Sequence, residues 1–560
     1  MREGSGRIFV RLRLVVKSQV STADGFRTRN RCRTAIQFRD ARKELGVADG
    51  FSLYGNDLKA SYAKAARRWQ QMFIDKFDYR EGEPYDLSLV DNDYLGPIFG
   101  LKDIVRDGEG EPVDPTTGVI CATVRMGFGH YRIAMAGASV AKSMGYTPYW
   151  LDLLSIPGIS TDVINWWNTN YSKFSRLSQR SPLFNRYVWE PITTGDRTLP
   201  GLWWALNSFA AGWPWRFIKA NARDYRMSEL FADLHRALPS EAPLLGSHMW
   251  NTMGAVAGGM TNVVDMMFDN WPMAFQLIEG AQHAVQSPSG YYGFRTMRGF
   301  DEKNTILQPT PSDALHYVGH HVDHELVENV ELDCELRLRR MASGEPRRFM
   351  LTMGGAGAQR ELFKAMVDHM VPMVKAGEAT LFVNLGDHRE NWDWLRSELG
   401  DTARMIQLHT AWDDTKGFAD EIRTGSTNGI HVFIYDNTFH GVYATNYLMR
   451  VVDVMITKPS ELAFYPVPKI FNERVGGHEA WGAIRSAELG DGTVETRTIP
   501  EALQAVDLLT LEDDLLAMYC DGIVRNKSIG IYDGAYKSVA LATGTEWERP
   551  LLTTVAPTPG

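Results

Sequence analysis

At 560 residues the chain is too long for a single hydrophobic core and implies two large domains with additions. Its 44% apolar and 23% charged residues exclude a mostly disordered chain, and no window approaches the roughly 18–20 apolar residues of a membrane-crossing helix. A net charge of −9 argues against wholesale nucleic-acid binding, and the four widely spaced cysteines (Cys32, Cys121, Cys334, Cys520) against a disulfide scaffold or zinc ribbon, fitting a reducing compartment.

In chain order, residues 1–45 carry twelve Lys/Arg against four acids and are expected to be a basic, disordered tail without a functional role. Residues 46–114 read as a helical extension, with Leu58, Tyr62, Ala65, Trp69, Met72 and Phe73 at helical spacing. From 115 to 330 the pattern is alternating α/β. The run Val119–Val124 is short, apolar and β-branched, as in a strand buried on both faces, and a helix follows from Ile133 to Met144. Further strands are predicted at Tyr149–Leu154, Pro243–His248, Val263–Phe268 and His283–Gln286. An aromatic-rich insertion occupies 160–220, and a charged connection with one helix occupies 319–347.

The second block, 345–530, repeats the logic. Strands are predicted at Arg348–Thr352, Thr380–Val383, Ile430–Ile434, Val452–Ile456 and Val467–Phe471, with a tail at 531–560. Strands alternating with helices imply right-handed βαβ units and mostly parallel sheets. The fold class is therefore α/β: two Rossmann-like, doubly wound domains facing across a cleft, where a ligand is expected.

The chemistry-bearing residues fall in loops at strand ends. In Arg125-Met126-Gly127-Phe128-Gly129-His130-Tyr131-Arg132 the glycines permit a tight turn and close ligand approach, and the helix that follows offers N–H groups to an anion. Gly127, Gly129 and Arg132 are the candidates on this side. His130 is placed for general base work, or alternatively for capping its helix. The second loop contains Gly354, Gly355, Gly357 and Ala358. It lacks the Lys-Ser/Thr of a phosphate-binding P-loop. Arg360 stands where a dinucleotide fingerprint needs its third glycine, and no acid follows Val383-Asn384. What remains is a backbone cradle suited to a diphosphate. The third group is Lys458, Ser460 and Glu461 together with Gly476, Gly477, His478 and Glu479. Ser460 is a natural N-cap with Glu461 in the first turn, which needs no ligand; a carboxylate there could also accept ribose hydroxyls.

These motifs, in order and spacing over about 118–525, resemble two-domain GT-B glycosyltransferases, above all monogalactosyldiacylglycerol synthases and the lipid-linked N-acetylglucosamine transferase of peptidoglycan synthesis. Two departures stand out. Phe128 occupies a position those families give to glycine, and the segment from Ile456 to Pro468 is shorter and lacks their Gly-Pro-Gly-Thr stretch. The resemblance implies an acceptor-binding N-terminal domain and a UDP-sugar-binding C-terminal domain. It places His130 at the acceptor–donor junction, Gly355 to Ala358 near the diphosphate, and Glu461 or Glu479 near the nucleotide-sugar.

The expected activity is metal-independent, inverting transfer of a hexose from a UDP-sugar, as co-substrate and without a cofactor, to a hydroxyl acceptor that could be lipid-borne. His130 is the first candidate base and Asp269 the second. The alternatives are a nucleotide-sugar epimerase of the same fold and a non-catalytic nucleotide-sugar-binding protein. Trp166, Trp167, Trp189, Trp203, Trp204, Trp213 and Trp215, near Arg216 and Lys219, suit either a membrane–water boundary or a protein core. A cytoplasmic location, with peripheral membrane contact through 160–220, follows from the first reading. His316, His320, His321 and His324 are read as a polar, histidine-rich linker rather than a metal site, and the pairs Asp413-Asp414 and Asp513-Asp514 as solvated faces.

Overall fold

Strands whose side chains are all buried force helices onto both faces of a sheet, and the central strands here have that character. The computed structural model describes residues 51–184, 217–300 apart from Phe275, and 306–548 apart from Ala356. A two-stranded hairpin, β1 (Ser52–Leu53) and β2 (Asn56–Asp57), leads into the helix Ala60–Phe77. The first sheet then takes eight strands: β3 (Leu87–Asp91), β4 (Lys102–Arg106), β5 (Gly118–Thr123), β6 (Thr147–Asp152), β7 (Leu244–Gly246), β8 (Val263–Met266), β9 (Gln282–Val285) and β10 (Leu315–Tyr317). Their order is β10-β9-β8-β7-β5-β6-β4-β3, parallel except for the antiparallel edge pair β3–β4.

The second sheet has seven strands: β11 (Arg347–Thr352), β12 (Ala379–Asn384), β13 (Ile406–His409), β14 (Gly429–Phe433), β15 (Val454–Thr457), β16 (Lys469–Phe471) and β17 (Gly492–Glu495). The order is β13-β14-β12-β11-β15-β16-β17, parallel throughout. Every residue of β5, β11 and β12 is buried. Both sheets are therefore Rossmann-like, as the sequence predicts.

Each sheet has a point where the chain reverses its direction of strand addition. From β5 it adds β6 on one side and then crosses to β7 on the other. From β11 it adds β12, β13 and β14 on one side and then crosses to β15. At such switch points adjacent strand ends diverge, leaving a crevice at the carboxyl edge.

Several boundaries differ from expectation. The N-terminal extension is not purely helical: β3 and β4 extend the first sheet. The segment expected to be a polar linker carries the helices His324–Glu328 and Val330–Ser343, with His320 and His321 fully buried. His320 Nδ1 lies 3.0 Å from the Phe464 carbonyl and His324 Nδ1 2.6 Å from the Tyr536 hydroxyl, so these rings tie the two blocks together. Residues 534–543, expected to be a tail, form a buried helix that crosses back to pack on the helix Phe128–Ser143 and on β7, β8 and β9. One apolar core consequently runs from Val119 and Met135 in the first domain to Phe349 and Val383 in the second.

Of the insertion's tryptophans, Trp166 and Trp167 pack against Trp69 and Phe73, the core alternative for these two. Trp189, Trp203, Trp204, Trp213 and Trp215 lie outside the described residues, as do the basic residues 1–45 and Ala356. Among the described residues no helix is long and apolar enough to cross a membrane, and no group of three or more His, Cys, Asp or Glu side chains is arranged to hold a metal ion.

Candidate functional site

The two switch points meet. The loop after β5 turns through Gly127 into the helix Phe128–Ser143, and the loop after β11 turns through Gly354 to Gln359 into the helix Arg360–Ala376. A Cβ on Gly355 would lie 2.3 Å from the Phe128 backbone nitrogen, so glycine is required by the approach of the two loops. Gly357 and Gln359 adopt left-handed φ values of 62° and 68°. The Phe128 ring lies over Gly386 and beside His388, whose Nε2 lies 3.0 Å from the Gly354 carbonyl. Arg125 and Asp387 form an ion pair across the junction.

His130 sits one turn into its helix. Its Nδ1 is 2.8 Å from the Ser247 carbonyl at the end of β7. A carbonyl can only accept, so Nδ1 carries the proton and Nε2 carries the lone pair. The ring is held edge-on between His248 (4.7 Å between centroids) and Phe268 (4.6 Å). Burial pushes the His130 pKa below its usual value, against the Ser247 hydrogen bond and nearby Glu461. The imidazole is thus neutral, oriented and basic at Nε2. His248, which the sequence reading took only as a strand end, caps the helix Met249–Gly258 by accepting from Trp250 N at 3.2 Å, and burial keeps it neutral as well.

Glu461 enters from the second domain. A methyl on Gly129 would come within 3.1 Å of its Oε2, so the carboxylate lies at the N-terminus of the first domain's helix, where the macrodipole favours negative charge. Ser460 precedes it, but its side chain makes no capping bond, contrary to the N-cap expectation. Lys458 runs its aliphatic chain against Gly354 and ion-pairs with Glu479. Glu479 also accepts from the backbone N–H of Val475 (2.8 Å) and Gly476 (3.1 Å). Burial alone would raise its pKa; Lys458, His478 and these amides instead hold it down at about 2. The helix start at Gly476-Gly477 therefore has an internal anion, its own glutamate.

Asp269 follows β8 on the same edge. Burial raises its pKa to about 6, with His478 and Lys458 opposing and Glu479 and Glu461 adding to the rise. Its neighbours bridge the domains: Asn270 donates to the Trp481 carbonyl at 2.9 Å, and Trp271 lies against the His478 ring. The structure therefore gathers His130, Asp269, Lys458, Glu461, His478 and Glu479 at one junction. Arg132 is placed elsewhere. It is buried and donates to Asn446 and Thr445 (both 3.2 Å), pinning the domains together rather than facing the acceptor side. Of the three helix starts assigned to anions, that of Phe128–Ser143 has Glu461 nearby, that of Gly477 is bonded by Glu479, and that of Arg360–Ala376 has no side-chain capping bond, with Glu361 in its first turn. Gly354, Gly357 and Ala358 line that approach.

Residues 52–296 match a family model described as a domain of unknown function, DUF6937, and residues 310–543 one described as a domain of unknown function, DUF6938. No curated protein matches the sequence. Among solved structures, the chain is similar to Staphylococcus aureus MnaA with UDP, at 11% identity over 75% of this chain and 94% of that one, with a TM-score of 0.37. It is similar to the apo structure of OtsA at 11% identity over 76% and 98%, with a TM-score of 0.37. It is also similar to UDP-GlcNAc 2-epimerase from Neisseria meningitidis bound to UDP-GlcNAc, at 9% identity over 58% and 81%, with a TM-score of 0.35.

Proposed function

We propose that the protein is a glycosyltransferase that moves a hexose from a UDP-sugar to a hydroxyl acceptor, with inversion and without a resident metal. The observation that carries this reading is the meeting of the two switch points: a neutral, oriented His130 on one side and a glycine loop opening an uncapped helix on the other. His130 Nε2 takes the acceptor proton as the anomeric carbon–oxygen bond to the diphosphate breaks. The N–H groups at the start of Arg360–Ala376 receive the departing diphosphate, with Lys458 shared between it and Glu479. The acceptor enters from the first domain, and the likeness of the loop motifs to lipid-modifying enzymes extends the proposal to a lipid-borne hydroxyl.

A second reading is favoured by the carboxylates at the junction. Asp269, raised to about 6, and Glu479, held at about 2, are a proton donor and a fixed anion side by side, the opposed pair that an epimerase needs. Thermal-shift titration with UDP, UDP-hexoses and NAD, followed by product analysis with and without alcohol acceptors, separates the cases. Stabilisation by UDP-sugars with acceptor-dependent release of UDP supports transfer. Conversion of the donor without acceptor supports the epimerase, and stabilisation without turnover a binding protein. A melting temperature indifferent to every uridine nucleotide overturns all three.

A further inference from the structure

Away from the junction, two cysteines lie together on the helices that connect the domains. Cys334 belongs to Val330–Ser343, which carries the chain into β11. Cys520 belongs to Asp514–Ser528, which leads back towards the crossing helix Gly534–Thr543. The two helices pack on each other, and Cys334 and Cys520 line the same cavity between them. Arg337 completes the cluster. Its Nε and Nη2 are fixed by the carbonyls of Val452 (2.9 Å) and Met449 (2.6 Å), which leaves Nη1 to donate to Cys334 Sγ at 3.6 Å.

Both cysteines sit at the edge of the apolar core, beside a surface cavity. Although only 2% and 1% exposed, Cys334 and Cys520 both line an open cavity of about 430 Å³, together with Glu335, Leu338 and Asp521. The neighbouring Cys520 and the Arg337 guanidinium draw the Cys334 thiol below its usual pKa against burial, whereas the neighbouring Cys334 and burial push Cys520 up. A lowered thiol beside a raised one is the division of labour of an attacking and a resolving cysteine. Cys121, inside β5, has no such cavity or partner thiol among the described residues.

We propose that Cys334 and Cys520 form a dithiol site that reacts with low-molecular-weight disulfides and closes to an internal disulfide joining the outgoing and returning interdomain helices. The Cys334 thiolate attacks one sulfur of the external disulfide, forming a mixed disulfide and expelling one thiolate. The Cys520 thiol then loses its proton to solvent and attacks the Cys334 sulfur, expelling the second. The protein dithiol is oxidised by two electrons, and the external disulfide is reduced to two thiols. This chemistry is independent of the reaction proposed at the junction.

The test is incubation of the full chain with oxidised glutathione, followed by peptide mapping without reduction. A cross-linked peptide pair containing Cys334 and Cys520 is expected. In Cys520→Ser, glutathione remains trapped on Cys334. In Cys334→Ser, Cys520 stays unmodified. Iodoacetamide labels Cys334 of the native protein at least roughly tenfold faster than Cys121, following thiolate character and access. Glutathione or cross-links confined to Cys32, or equal labelling of Cys334 and Cys121, overturns the proposal. The labelling comparison stands even if one serine variant fails to fold.

Discussion

The two glycine loops occupy equivalent places, each following the strand at its sheet's switch point, yet they are furnished differently. Around Gly127–Gly129 the walls are side chains: two imidazoles packed edge to face, Phe128 folded over Gly386, and a carboxylate from the other domain close to the helix start. Around Gly354 and Gly357 the side chains of Lys458, His388 and Asn391 close on a left-handed backbone turn, and the helix that follows has no side-chain capping bond. The same topology thus carries an imidazole-rich face on one side and a glycine-turn face on the other. In the proposed function this asymmetry corresponds to chemistry on the first domain and anion binding on the second.

The largest effect is expected on the imidazole-rich face. His130→Gln should lower the turnover rate about 10²–10⁴-fold while leaving UDP binding unchanged, because a positioned base contributes on that scale; kinetics and calorimetry on the same preparation check this. Equal losses of both would erase the division between the loops. On the opposite face, Lys458→Met leaves Glu479 buried without its cation and should cost about 3 kcal/mol in denaturant unfolding at neutral pH. Glu479 has a depressed folded pKa, so its stabilisation is present above the unfolded value and lost as pH falls towards about 2. The variant should therefore show a flatter acid limb than the wild type.

Asp269 has the opposite sign. Its folded pKa is raised, so the folded state is progressively destabilised as pH rises from the usual carboxylate range through about 6. Asp269→Asn should gain about 3 kcal/mol at pH 8 and little at pH 4, on the scale of a two-unit shift. If Asp269 is the group titrating in catalysis, the same variant also removes an inflection near pH 6 from the rate profile. Smaller again, Gly355→Ala forces the loops apart at the Phe128 backbone and should cost about 1–3 kcal/mol, the usual range for overpacking. Ser460→Ala should stay within about 0.5 kcal/mol of wild type in the same assay, because its side chain caps nothing.

Much of the doubly wound plan was legible in the sequence because strands buried on both faces announce themselves as continuous apolar runs. Val119–Val124 and Thr380–Val383 are of this kind. The strands missed are edge or near-edge ones: Leu87–Asp91, Lys102–Arg106, Leu315–Tyr317, Ile406–His409 and Gly492–Glu495 carry exposed or half-buried positions and no long apolar run. In the site, the glycine loops marked themselves by composition. His248 did not, because a histidine closing a strand has no pattern that distinguishes packing from function. The partner of Arg132 lies 314 positions away, and Glu479 turns back on its own helix start; neither pairing leaves a local trace.

The buried helix Gly534–Thr543 has a practical corollary for dissection of this protein. The matches to two family models suggest a scissile point near residue 300, but the last described helix of the downstream half is part of the upstream half's packing. Gene fragments cut there would each display a wide greasy wound, one missing its lid and the other trailing an orphan segment. Co-expression of the pieces, or a permuted chain that returns 534–543 to the upstream half, is the workable route to separate lobes.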